Sequence, residues 1–540
     1  MATLSFKGKT FVQNHHLTVK YHQLIPKKNK SLTDKVSLND NLIIHGDNLK
    51  ALKALLPTYA GKVKCIYIDP PYNTGNEKWK YNDNVNSPMM QEWLGKVVDK
   101  EDLTRHDKWL CMMMPRLKLL RELLREDGVI FVSIDENEQH SLRGLLDEIF
   151  QEHNHMSTFV WAGRSGKGGT TRQVEMNHEY IECYSKNEVN VKLKPIVSIQ
   201  GIGNYRDAKG TYKREHLRQW GQGDRREDRP SMYFPIIGQD GEIIYPKRPD
   251  GKDGRWRFGE ATIKRLQEEN DLDFVKDGRS KIIVYRKIRE GRQTVLATDS
   301  LLLDKGTASS GTLELKAIFG EKVLDNVKPS TLVKHFIDLA TFDDKSSIIL
   351  DSFAGSATTA HAVLALNKED GGNRKFVMVE CEDYADEITA ERVRRVIKGV
   401  KKAKDENLRQ GLGGTFSYFE LGDSIEMESI LEGNKLPSYL ELARYVFYTA
   451  TGAEFDPKKV NEKKNFIGES KEYEVYLFYK PDMDYLKSTA LTLERAKSLG
   501  PYRGKKRLVF APSKYLDTDY LLEYRIDYCQ LPFEIYKLKE

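Results

Sequence analysis

Two short segments carry residue types suited to chemistry on an amine. The first is Asp69-Pro70-Pro71-Tyr72, which follows the almost wholly apolar run VKCIYI (63–68). Two consecutive prolines remove backbone donors and fix φ near −65°, making a stiff loop. Such a loop holds the Asp69 carboxylate and the Pro70 carbonyl in fixed directions. Those are two acceptors, and an exocyclic amine has two N–H donors. The lone pair of an aromatic amine is delocalised into its ring, so the amine is a poor nucleophile. Accepting both N–H bonds favours a tetrahedral nitrogen with its lone pair available. Tyr72 sets an aromatic face beside the acceptors, as a base turned out of its helix needs. The gain in such a reaction comes mostly from positioning.

The second segment is Asp351-Ser352-Phe353-Ala354-Gly355-Ser356, continuing through Ala357-Thr358-Thr359. It follows a strand-like run, SSIILDSF, and opens a helical one. Small residues let a backbone approach a ligand closely, and a helix N-terminus favours a carboxylate. After Asp351 the next strand, KFVMVE (375–380), ends in Glu380. An acid at that place suits ribose hydroxyls. Each segment alone also suits a plain turn or a close helix–strand contact. Their meaning depends on whether one sheet holds both.

The elements that must position them alternate in an α/β rhythm. LIIHG (42–46), VKCIYID (63–69), GVIFVSID (128–135), STFVWAG (157–163) and HEYIECYSK (178–186) read as strands, with helices over 47–60 and 109–125. The rhythm fades between about 190 and 325. It returns with a helix at 331–341, the strands 346–353 and 375–380, and a basic helix over 388–404. Neither block alone makes a stable doubly wound sheet, whereas together they supply about seven strands. The expected organisation is an N-terminal arm (1–40), a first α/β block (41–190), an insert (191–325), a second α/β block (326–410) and a C-terminal α+β domain (411–540). Ligands in such sheets bind outside the carboxyl ends of the strands, where both segments fall.

Bulk composition narrows the class without naming it. Apolar residues make up 39% and charged residues 31%, which suits a folded globular chain rather than a disordered one. No apolar stretch is long enough to span a bilayer, and the first residues lack a signal core, so the expected location is the cytoplasm. Cys65, Cys111, Cys183, Cys381 and Cys529 are scattered and never form a CxxC pair, so neither a disulfide framework nor a metal site is expected. A net charge of +6 does not by itself mark a nucleic-acid binder.

The order of the segments, with DPPY first, a long insert next and the FxG loop last, resembles the beta-class amino DNA methyltransferases. It is similar more specifically to the modification subunit of type III restriction-modification systems. The likeness is carried by HGDN (45–48), YIDPPYNTGN (67–76), NHEYIECYSK (177–186), KGTYKREHL (209–217), DRPSMYFPI (228–236), VKPSTLVKHFI (327–337), DSFAGSATTAHA (351–362) and GLGGTFSYFELGD (411–423). It implies a Rossmann-like sheet in circularly permuted motif order, S-adenosyl-L-methionine as methyl donor and adenine N6 of double-stranded DNA as acceptor. It also implies a homodimer and a separate helicase-nuclease restriction subunit. By position, Asp69, Pro70, Pro71 and Tyr72 form the amine site. Asp351, Phe353, Ala354, Gly355 and Ser356 line the cofactor loop, Glu380 takes the ribose and Asp47 sits near the cofactor adenine. Lys328, Pro329 and Ser330 frame the methionine pocket. Two departures stand out: Ser352 where proline is common, and Ala357 where glycine is common. The second matters only if φ there is positive. Asp rather than Ser at the head of DPPY favours adenine N6. The alternatives are a cytosine-N4 or RNA methyltransferase on the same fold, or a non-catalytic DNA-specificity scaffold.

The insert is the expected reader of DNA sequence. Arg206, Lys209, Lys213, Arg214, Arg225 and Arg226 lie close together with Tyr205, Tyr212 and Trp220 among them. Arginine suits phosphate and guanine contacts. Several acids share the segment, so a solvated charged loop stays open as a reading. RSGKGG (164–169) lacks the spacing of an ATP loop and is a candidate backbone contact only. The run YLELARYVFYTA (439–450) suits either subunit assembly or ordinary core.

Overall fold

In the computed structural model the described residues are 4–74, 105–164, 174–424 and 436–531, less 200, 202, 239, 279, 280, 292, 402, 404 and 454. They form two compact units, residues 195–298 and the rest of the chain.

The larger unit is built on one ten-stranded sheet. Its strands in chain order are β1 (His22–Pro26), β2 (Leu42–His45), β3 (Val63–Ile68), β4 (Leu124–Ile134), β5 (His155–Trp161), β6 (Glu179–Ser185), β7 (Leu301–Leu302), β8 (Ile348–Asp351), β9 (Lys375–Glu380) and β10 (Ser417–Ser424). Across the sheet they lie in the order β1-β10-β2-β9-β8-β3-β4-β6-β5-β7. From β10 to β4 every neighbouring pair is parallel, whereas β1 meets β10, and β6 meets both β4 and β5, antiparallel; β7 then joins β5 parallel. β3 therefore lies beside β8, with Cys65 opposite Ile349 and Ile66 opposite Leu350. The DPPY segment and the FxG segment leave the same edge side by side.

All six residues of β3 are buried, as a strand covered on both faces requires. Its alternation sends Ile66 and Ile68 to one core, and Cys65 and Tyr67 to the other, while an irregularity after Val63 turns that residue to the first core. The first core takes α1 (Asn48–Tyr59), α2 (Arg105–Leu123) and α3 (Gln139–Phe150). The second takes α4 (Ala308–Phe319), α5 (Ser330–Thr341), α6 (Thr358–Asp370) and α7 (Glu391–Lys398). There Phe336 of α5 meets Phe131 at 4.7 Å and Phe159 at 5.2 Å between ring centroids. Contacts of this kind add about 0.5–1.5 kcal/mol each beyond burial.

The structure moves several expected boundaries. The sheet has ten strands rather than seven, because the arm supplies β1, residues 301–302 supply β7 and the tail supplies β10. Leu42 of β2 thus pairs with Val377 and Ser417, more than 300 residues away in sequence, which local patterning does not show. The compact inserted unit is 195–298, not 191–325, since β7 pairs with β5 and α4 packs in the second core. The basic helix expected over 388–404 is regular only at Glu391–Lys398, preceded by a wider turn at Asp386–Ala390. Gly399, at φ +101°, stops it. The run 439–450 is core: in α8 (Tyr439–Thr451), Leu442, Ala443, Tyr445, Val446, Phe447 and Tyr448 are buried. They share the first core with Val475 and Leu508 of a separate four-stranded C-terminal sheet. Among the described residues no helix is long and apolar enough to cross a membrane.

The smaller unit centres on a four-stranded antiparallel sheet, in the order Leu272–Lys276, Ile282–Arg289, Gly210–His216, Tyr205–Asp207. One face packs on the helix Glu260–Glu268 through Leu217, Trp256, Ile263, Leu266 and Val284. Strand alternation puts Tyr205, Tyr212, Arg214, His216, Tyr285, Lys287 and Arg289 on the other face.

Candidate active site

A cavity of about 710 Å³ opens at the carboxyl edge of β3 and β8. Its wall includes Asp69, Pro70, Pro71 and Tyr72 from one loop and Asp351, Phe353, Ala354, Gly355 and Ser356 from the other. Five strand ends in a row carry acids here: Asp47 after β2, Glu380 on β9, Asp351 on β8, Asp69 after β3 and Asp135 after β4. Among the described residues the cavity wall has Asp69, Asp135, Glu179, Asp325, Asp351 and Glu382 against Lys328 and Arg164. Such a lining favours a cationic ligand.

The amine-side cluster is tightly bonded. The Lys328 ammonium donates to Asp69 Oδ1 at 2.9 Å, Asp69 Oδ2 at 2.8 Å and the Tyr72 hydroxyl at 2.7 Å. The Tyr72 hydroxyl donates to Asp69 Oδ1 at 2.7 Å, with Glu179 Oε2 at 3.0 Å. Burial works against the Lys328 ammonium, yet the Asp69 and Glu179 carboxylates outweigh it and hold its pKa above the usual lysine range. Burial, and then the same two carboxylates, push the Tyr72 phenol far up, so it stays a donor. Pro71 is held from behind, its carbonyl accepting from Trp109 Nε1 at 2.7 Å. The next residue, Asn73, takes the left-handed conformation at φ +59°, and its amide donates to the buried Glu138.

The other loop is a backbone construction. Asp351 Oδ1 accepts from the Phe353 N–H at 2.9 Å and Oδ2 from Thr359 Oγ1 at 2.6 Å. Burial pushes the Asp351 carboxyl up to about 7. Gly355 lies at φ +51° and Ala357 at φ +62°, so the position where glycine is common in the resembling family is a strained alanine here. Beneath the loop sits a fully buried guanidinium, Arg392, donating to Ser356 Oγ and Thr358 Oγ1, each at 2.9 Å. Its other nitrogen meets His361 Nδ1 at 3.1 Å and lies 3.7 Å from the Glu314 carboxylate. Burial pushes the His361 imidazole down to about 4, so it is neutral and accepts.

Four of the expected cofactor residues are engaged by groups of the chain itself. Asp47 caps α1, accepting from the Lys50 N–H at 3.0 Å, and is not in the cavity wall. Ser330 gives its N–H and hydroxyl to Glu314, at 3.0 and 2.5 Å. Lys328, expected beside the methionine pocket, is bonded into the amine cluster. Glu380 is 1% exposed, with its carboxylate accepting from the N–H groups of Gly355, Cys381 and Glu382 at 2.6–3.0 Å. It shapes the loop, and burial pushes it up to about 7. Glu382 and Tyr384, two and four positions on, reach the cavity wall instead.

Sequence reasoning passed over Glu179, Asp135 and Arg392. Glu179 had a signal, since a carboxylate heads a strand in which six of seven residues are buried. In the inserted unit, Arg206, Lys213 and Arg225 are exposed. Lys209 Nζ donates to the Glu269 carbonyl at 2.6 Å, and Arg226 lies 3.3 Å from Asp253. Arg214 is half-buried, bonded to Asp273 at 2.7 Å and 3.8 Å from the Tyr205 ring centre. That makes it a strut of the sheet face. Of RSGKGG only Arg164 is among the described residues.

A family model described as DNA methylase, N6_N4_Mtase, matches residues 63–391, a span that includes both loops. The type III restriction-modification enzyme EcoPI Mod subunit of Escherichia phage P1 is 30% identical over 450 residues, 73% of this chain and 68% of that protein. The EcoP15I Mod subunit of Escherichia coli is 33% identical over 428 residues, 69% and 65% of the two chains. The type II methyltransferase M.KpnI of Klebsiella pneumoniae is 32% identical over 365 residues, 65% and 82%. The chain thus spans about two thirds of the length of those Mod subunits. On a match that runs through both strand-end loops, and on relatives at this identity, the chain belongs to the N6/N4 DNA methylase family.

Proposed function

We propose that the chain methylates adenine N6 in double-stranded DNA as the modification subunit of a type III restriction-modification system. The observation that carries the reading is the shared cavity: residues almost 300 positions apart, Asp69 and Phe353, stand on one wall. The donor is S-adenosylmethionine, which supplies a methyl group bonded to a positively charged sulfur. The residues present fit it. The cavity lies within the usual range for small-molecule sites, its acids suit a cation, and the first turn of α6 suits a carboxylate. Gly355 and its neighbours offer a close backbone approach.

In this mechanism the target base leaves the duplex and lies against the Tyr72 ring. Asp69 accepts one N6–H and the Pro70 carbonyl the other, which frees the lone pair for attack. Lys328 and Tyr72 hold the Asp69 carboxylate still, so little reorganisation is needed as the bond forms. Asp69 then accepts the proton that nitrogen sheds and releases it to solvent. The exposed cations of the inserted unit, Arg206, Lys213 and Arg225, contact the DNA, while Arg214 supports the face. A homodimer and a separate restriction subunit complete the assembly.

Expression in a host lacking methylation, followed by methylation-aware sequencing and mass analysis of nucleosides, tests the reading. N6-methyladenine at a fixed motif is expected. N4-methylcytosine in its place would end the adenine assignment.

A further inference from the structure

The amine-methylation reading leaves open where the site's net charge comes from, and the inference below rests on that reading. Both Asp69 oxygens already take the Lys328 ammonium, at 2.9 and 2.8 Å. From a nitrogen a few ångströms away, those opposite charges largely cancel. As the new N–C bond forms, N6 gains positive charge until its proton passes to Asp69, and a neutral pair stabilises that poorly. The cluster is not neutral, because Glu179 Oε2 lies 3.3 Å from the same ammonium and 3.0 Å from the Tyr72 hydroxyl. Glu179 and Lys328 side chains are each 8% exposed, so solvent screens them little. Two carboxylates against one ammonium leave a single net negative charge.

We propose that Glu179 is what makes the Asp69–Lys328–Tyr72 cluster anionic. It is a positioning residue that acts through Lys328 and Tyr72, and its charge stabilises the cation developing on N6. A role in shape alone would be met by any acceptor at that place, an amide included. A role in charge would not.

The test uses the whole protein, its mapped recognition duplex and four forms: wild type, Glu179→Gln, Glu179→Asp, and Glu179→Gln combined with Lys328→Met. kcat is measured with donor and DNA saturating. Base capture is read without donor, from the fluorescence of 2-aminopurine at the target position. Glu179→Gln is expected to lower kcat roughly ten- to a hundredfold, the effect of one nearby charge in a screened-off site. Base capture should stay within about twofold, because stacking on Tyr72 is untouched. Glu179→Asp should keep kcat within about tenfold. Adding Lys328→Met should raise kcat above that of Glu179→Gln alone, since Asp69 again stands as one uncompensated charge. The proposal is overturned if Glu179→Gln keeps its kcat, if base capture falls in step with kcat, or if the double variant is slower than the single. Should Glu179→Gln fail to fold, the aspartate and the double variant decide. A wild type that makes no N6-methyladenine condemns the underlying reading instead, and is scored before any variant.

Discussion

At the end of β3 two prolines stiffen the loop and leave side chains to act, while at the end of β8 small residues step aside and leave the backbone to act. The first loop carries a carboxylate and a phenol bonded into a charged cluster. The second presents N–H groups and a helix start, held from below by Arg392. On the proposed function, the contrast teaches how one edge would serve two ligands of different kind. A base needs directed acceptors and a ring, whereas a small polar cation with a carboxylate needs space, acids and bare backbone. Damage to the first should therefore strike turnover, and damage to the second should strike donor binding and stability.

The largest expected effect is on the first loop. Asp69→Ala should lower kcat by roughly 10²–10³-fold, the usual loss for one directed polar group in a reacting site. DNA affinity, measured by mobility shift, should hardly change. Retained turnover would remove Asp69 from the chemistry. The matching blow to the second loop is Arg392→Met. It leaves Glu314 without its buried cation and Ser356 without its donor, which costs about 3–5 kcal/mol of stability. Thermal melting checks the cost, and calorimetry should show weaker donor binding while 2-aminopurine capture persists. Equal loss of both would break the division of labour.

Acidity sharpens the same contrast. Burial pushes Asp351 and Glu380 up to about 7, and both belong to the second loop. A carboxyl whose folded pKa is raised adds stability that is complete below its unfolded pKa near 4 and is lost as pH rises through 7. For Asp351 the span corresponds to at most about 4 kcal/mol, at 1.36 kcal/mol per unit. Melting of the free protein should therefore be higher at pH 5.5 than at pH 8 on this account, while affinity for the cationic donor should run the other way. A donor affinity that is flat across pH 6–8 would contradict the charge argument. The smallest effect is expected from Ala357→Gly. Relief of the left-handed strain, about 1–2 kcal/mol, is opposed by a lost buried methyl and a freer unfolded chain, so melting should move by less than about 1 kcal/mol.

How much of this was legible varied with the distance over which each feature is specified. DPPY and the FxG run are local, and the buried strands before them fixed their place at a sheet edge. Glu179 looked like one more strand residue and Lys328 was expected at the methionine pocket, since only the fold brings them to Asp69. Arg392 read as part of a basic helix, yet it is fully buried, because its partners come from α4 and α6. β1 and β10 were missed for the same reason: β1 is an edge strand of five residues with little pattern of its own, and its partner β10 lies almost 400 residues away. Glu380 was placed at the right strand end, but the three N–H groups that occupy it could not be read from sequence.

The adjacency of β3 and β8 also sets a timetable. Roughly 280 residues separate Ile68 from Ile348, and at 5–20 residues per second a ribosome needs about 15–60 s to make them. Throughout that interval the nascent chain holds β3 with one flank open, an apolar edge able to pair with any neighbouring polypeptide. Cells making this protein must therefore shelter an unfinished sheet for most of its synthesis, and slow codons between the two strands would lengthen its exposure.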